Sequence, residues 1–174
     1  MTRSRDTVTV TLALGLAIIA MGCVLAAAIN DVRAFEIPDG LSIALLVTAA
    51  LYGLLTPGFG WLSHLAAPLI MFGVGLLLFS RGWMGGGDIK LLIAVAAWTG
   101  LSGLPEQLVA VAIAGGGLAL VLIIARRIAA ARAIGAGKDA ATLPKLFRRD
   151  APLPYAVAIA AGTGWWAMQA WPIR

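Results

Sequence analysis

Eight carboxylate residues are spread over the 174 positions, and four of them, Asp31, Glu36, Asp39 and Asp88, stand where apolar runs begin or end. Asp31 follows Ile29-Asn30 at the close of the first long run, and Asp88 lies between Gly85-Gly86-Gly87 and the run that opens at Ile89. A carboxylate this close to hydrocarbon is costly unless it faces a cavity or a partner, which makes it a functional candidate. Two aspartates can hydrolyse a peptide bond without metal, serine or thiol. Like charges held close do not both ionise readily, so the pair shares one proton and titrates in two steps. The ionised member draws a proton from water while the protonated member donates toward the scissile carbonyl. Taken singly, each of these acids reads as a solvated helix end. Taken together, they ask for chemistry.

No competing nucleophile and base stand out. The single cysteine, Cys23, lies inside an apolar run and reads as a packing residue. The single histidine, His64, has no sequence partner and reads as an interfacial residue near a helix start. With no Cys/His cluster, neither a metal site nor a cofactor is expected. Gly85 and Gly87 support the site in this reading, since glycine removes side-chain bulk beside Asp88 and lets a peptide strand approach. Asp39, after Pro38, reads first as a helix N-cap.

The elements that must position these acids follow from composition. Hydrophobic residues make up 61% of the chain and charged residues 12%, with mean hydropathy +0.95. A soluble domain is roughly half apolar and about a quarter charged, so the bilayer has to be the solvent. Spans of about 20 residues are needed for a core of ~30 Å. Apolar runs fall at about Val8–Ile29, Leu41–Leu55, Trp61–Phe79, Ile89–Leu101, Leu108–Ala125 and Pro152–Trp171, with a strong turn signal at Thr56-Pro57-Gly58. The fold expected is an all-α integral membrane protein of about six transmembrane helices, residues 1–174 forming one domain. The glycines of Gly115-Gly116-Gly117, with Gly73 and Gly75, are expected at close helix contacts. Trp165, Trp166 and Trp171 are expected in an aromatic belt, with Trp61 its counterpart on the third run.

With six spans, the loops after the first, third and fifth runs share a side and carry ten of the 13 basic residues. Seven of these lie in the 126–150 segment, expected as a basic cytoplasmic loop whose Ala-rich start is a helical extension against anionic headgroups. Both termini are then non-cytoplasmic. Arg3, Arg5 and Ala26-Ala27-Ala28 imitate a cleavable signal peptide, but cleavage would place the basic segment outside, so the run is expected to be retained. The net charge of +5 belongs to the membrane surface. No aromatic interleaving suggests nucleic acid.

The motifs carry a resemblance. Asp31-Val32-Arg33 with Ile37-Pro38-Asp39 resembles the first motif of the type IV prepilin peptidases, and Gly85-Gly86-Gly87-Asp88-Ile89-Lys90-Leu91 is similar to their GxGD segment. Pro154-Tyr155 resembles the pair that opens their last helix, although Ala156 stands where glycine is frequent. The resemblance implies an intramembrane aspartic endopeptidase of a bacterial plasma membrane, with Asp31 and Asp88 as the catalytic pair. Prepilins or pseudopilins are its implied substrates and membrane lipids its surroundings. It implies cleavage of a basic leader at the cytoplasmic boundary, and Glu36 and Asp39 are the acids expected to receive that leader. Lacking the paired cysteines of bifunctional members, the chain resembles the short form serving Flp-type tight-adherence pili, without N-methyl transfer.

Two other classes compete. A small transporter or channel could use Asp31 and Asp88 as ion sites, but such sites usually lie near the midplane between repeated halves. A non-enzymatic pilus-assembly factor could keep the acids for structure alone.

Overall fold

The computed structural model describes residues 2–137, 143–148 and 151–170. They form α1 (Thr2–Ala34), α2 (Asp39–Leu55), α3 (Trp61–Ser80), α4 (Gly86–Gly135) and α5 (Tyr155–Ala170), with a short 3-10 turn at Lys145–Phe147. Trp171 and residues 138–142 and 149–150 of the basic segment lie outside the described residues. Three helices, counted from Thr7–Ala34, Trp61–Ser80 and Gly86–Gly135, are long and apolar enough to cross a membrane; Asp39–Leu55 is apolar but shorter. Large apolar side chains face outward all along them, Ile18, Leu62, Leu69 and Ile113 among the most exposed. A water-facing surface cannot carry such a load. This is an integral membrane protein.

The apolar runs locate the helices well, but several ends move. α1 continues to Ala34, so Asp31 is inside its last turn and not beyond it. At 1.5 Å per residue its 33 residues span roughly 50 Å, well past the hydrocarbon. α4 does not stop at Ala125 but runs on through Arg126, Arg127 and Arg132 to Gly135. Alanine and arginine are strong helix formers, so the expected helical extension forms there, and the loop within 126–150 begins only after it.

α4 is interrupted once. Gly100 has φ 63°, ψ 179°, a region open essentially to glycine alone. The space is closed as well, since an added Cβ would sit 2.9 Å from Ser63 Oγ and 3.0 Å from His64 Nε2. The freed backbone groups find partners on α3: the Leu101 N–H donates to Ser63 Oγ at 2.8 Å, and His64 Nδ1 lies 2.9 Å from the Ala97 carbonyl oxygen. His64 therefore has a tertiary partner that its sequence neighbourhood does not reveal.

On either side of Gly100 the two arms of α4 run in opposite directions. In the first arm Ile89 faces Gly75 of α3 and Gly100 faces Ser63 and His64. In the second, Gly103 faces Trp166, Val111 faces Gly162, and Gly115 faces Tyr155 and Ala158, all on α5. α1 packs on α2 and α5, and α2 on α4. The buried core lies between these helices and includes Val24, Leu45, Leu91, Val95 and Ile159. The glycine expectation is met in part. Gly75 and Gly115 are close contacts, whereas Gly73, Gly116 and Gly117 have nothing within 4 Å, and the tightest approach to backbone is at Gly162, against Val111.

Candidate active site

α1 delivers Asp31 to one end of the bundle. Only 6% of the residue is exposed, and its Oδ2 accepts the Ala156 N–H at 2.9 Å. That N–H belongs to the first turn of α5, where backbone donors have no partner within the helix. Pro154, just before α5, has no side-chain oxygen to cap it. Asp31 supplies the missing acceptor from across the bundle.

The chain leaves α1 through Phe35, whose N–H donates to the Asp31 carbonyl at 2.9 Å. Its φ is +56°, a left-handed conformation that glycine or asparagine ordinarily occupies at a helix end and that a bulky residue rarely adopts. This turn lays the next residues on the start of α4. Ile37 covers Gly87, where an added Cβ would come within 3.2 Å of the Ile37 Cβ. Asp39 Oδ1 accepts a hydrogen bond from Lys90 Nζ at 2.7 Å in a largely exposed ion pair. Asp39 is thus not the N-cap of α2. Pro38 holds that position, with no side-chain cap, and the Asp39 carboxylate turns to Lys90.

Asp88 arises from the glycine triplet. Gly85 is the N-cap of α4, in extended conformation, and places Asp88 in the first turn, where the helix dipole attracts an acid. Asp88 Oδ2 would lie 3.1 Å from a Cβ at Gly85, so any larger residue there would crowd the carboxyl. Gly87 is needed for a different reason: its face is covered by Ile37. Asp88 Oδ1 is buried and makes no hydrogen bond among the described residues.

The two acids, 57 positions apart in the chain, line one cleft of about 480 Å³. They are near enough for their charges to repel. Phe35, Gly82, Trp83, Met84, Gly85, Pro152, Leu153 and Tyr155 complete the wall. Glu36 is exposed on the turn next to Phe35, outside this wall, and so is Asp39. Sequence reasoning brings out the acids and glycines of this site but not Phe35 or Trp83, and it reaches Tyr155 only through the Pro154-Tyr155 resemblance, without a place in the site. The signal available for them was their place beside the motifs: Phe35 between Asp31 and Ile37-Pro38, Trp83 just before the glycines.

The arrangement offers two carboxyls in one cleft, a buried acceptor on Asp88, a backbone donor fixing Asp31, and walls that include Phe35, Trp83 and Tyr155. No curated protein and no solved structure matches the chain. A model of the type IV leader peptidase family matches residues 18–137, a stretch that contains both Asp31 and Asp88. With most of its length and both of these acids inside that match, the chain belongs to the type IV leader peptidase family.

Proposed function

We propose that the chain is an aspartic endopeptidase that removes a short basic leader from prepilins or pseudopilins at the cytoplasmic boundary of a bacterial plasma membrane. The observation that carries this reading is that Asp31 and Asp88, from different helices, open into the same cleft. Asp31 and Asp88 hold one proton between them. The ionised carboxylate takes a proton from a water, which attacks the scissile carbonyl, while the protonated one donates to the carbonyl oxygen. Gly85 lines the cleft and leaves room for the substrate backbone beside Asp88, while Gly87 serves the packing of Ile37 on the start of α4. Incubation of the purified protein with a prepilin tests this directly: a product shortened by its leader is expected, and an intact prepilin would sink the reading.

In the same reading six helical segments cross the bilayer, the two arms of α4 counting separately, with both termini outside and the cleft facing the cytoplasm. The basic residues at the far end of α4 support that orientation. Single cysteines, placed after Cys23→Ser, give the check. One at Gln169 should react with an impermeant thiol reagent from outside, and one at Ala131 only after the membrane is opened. Labelling of the Ala131 position from outside would reverse the topology.

Glu36, with a lesser part for Asp39, is proposed to receive the leader's Lys or Arg. Asp39 is already paired with Lys90, which leaves Glu36 as the more available acid on that turn. Exposed pairs of this kind are weak, ~0–1 kcal/mol, so Glu36→Gln should raise KM severalfold and leave kcat nearly unchanged. The effect should fade with added salt. Loss of kcat at unchanged KM would place Glu36 in the chemistry instead.

A further inference from the structure

Arg126, on the second arm of α4, spreads all three of its guanidinium nitrogens over one short stretch of backbone. Nε donates to the Leu146 carbonyl at 2.9 Å, Nη1 to the Ala151 carbonyl at 2.9 Å and Nη2 to the Pro152 carbonyl at 3.0 Å. The stretch needs such a partner. Residues 151–154 are neither helix nor strand, and backbone carbonyls outside regular structure must find donors elsewhere. Pro152 and Pro154 fix φ and contribute no N–H, so the segment is stiff but poorly tied by its own backbone. It then runs straight into the site. Pro152, Leu153 and Tyr155 line the cleft, and the Ala156 N–H is the donor that holds Asp31.

We infer that Arg126 is a positioning residue for the dyad, acting through residues 151–156 to hold the Ala156 N–H on Asp31 and Leu153 and Tyr155 in the cleft wall. This rests on the proposed role of Asp31 and Asp88. The planar fork is what the geometry requires, because three carbonyls at fixed spacing are met by one rigid group with diverging N–H bonds. A lysine ammonium at the same place is a single point and cannot reach all three. Arg127 is exposed on the neighbouring position and provides a control of equal charge.

The test uses the full chain in detergent or proteoliposomes, with prepilin cleavage as the readout and helical circular dichroism with thermal melting alongside. Arg126→Ala and Arg126→Lys are each expected to lower kcat by roughly ten- to a hundredfold with KM changed far less, as loosening a catalytic group does. Arg127→Ala should match wild type. Millimolar guanidinium, far below denaturing levels, should restore part of the kcat of Arg126→Ala but none of that lost in Asp31→Asn. A merely structural role would show the reverse: lowered melting with wild-type kcat in the surviving folded fraction, and no rescue. Wild-type kcat in Arg126→Lys, or absence of rescue in a folded Arg126→Ala, overturns the inference. If Arg126→Ala does not fold, Arg126→Lys decides alone. Cleavage by wild type and its loss in Asp31→Asn keep the peptidase reading standing whichever way Arg126 falls. An inert wild type removes both.

Discussion

Asp31→Asn and Asp88→Asn should each lower kcat for leader removal by on the order of 10²- to 10⁴-fold, with the protein still folded and inserted. An amide can neither share the proton nor serve as the base, so either change removes the whole pair, and the double variant should be little worse than the singles. The fold should survive Asp31→Asn because the amide oxygen of the substituted side chain can still accept the Ala156 N–H that Asp31 accepts now. Asp31→Ala separates the two jobs: it also leaves a buried donor unsatisfied, at a cost of about 1–3 kcal/mol, and should melt earlier. Asp39→Asn breaks an exposed ion pair worth ~0–1 kcal/mol and should keep kcat within about twofold. Cleavage timed on gels beside melting curves checks all five variants. Substantial turnover by Asp31→Asn or Asp88→Asn would remove these two acids from the mechanism.

The largest effect on stability should come from Gly162→Ala. A Cβ there would stand 2.5 Å from the Val111 backbone nitrogen and 2.7 Å from its Cα. Backbone cannot rotate out of the way as a side chain can, so α5 and the second arm of α4 must part. Overpacking of this kind costs about 1–3 kcal/mol or more. Because α5 also carries the donor to Asp31, activity should fall with the melting temperature. Gly116→Ala is the counterpart on the facing helix. It has nothing within 4 Å and gains roughly 0.8–1.0 kcal/mol of helix propensity, so it should melt at or above wild type. Equal melting of the two variants would show that this helix contact is looser than described.

The same comparison marks what a linear reading can and cannot reach. Asp31, Asp88 and the glycines before Asp88 were legible because cost and chemistry are local there: an acid at the edge of an apolar run, three residues without side chains. Gly116 and Gly162 look alike as letters, and only the position of Val111 across the interface separates them. Asp39 reads as a cap from its neighbour Pro38, but its partner Lys90 lies 51 positions away. Arg126 looked like one more charge in a basic stretch, since nothing nearby announces three carbonyls 20 to 26 positions downstream. Gly100 sits in Trp98-Thr99-Gly100-Leu101 without a turn signature. Its reversal is enforced by Ser63 and His64, from a helix made earlier.

The bond between Asp31 and Ala156 joins positions 125 apart, and this sets an order of birth. Chains emerge from the ribosome N-terminus first, at about 5–20 residues per second, so α1 is made well before the helix whose amide steadies its acid. Asp88 and the glycine turn appear in between, and Arg126 with the segment it braces comes later still. Until the last helix enters the bilayer, the cleft lacks Leu153 and Tyr155 and Asp31 lacks its donor. A half-made chain is therefore a poor scissors. On the proposed function, a substrate synthesised at the same membrane meets a competent cleft only after the final helix has been delivered.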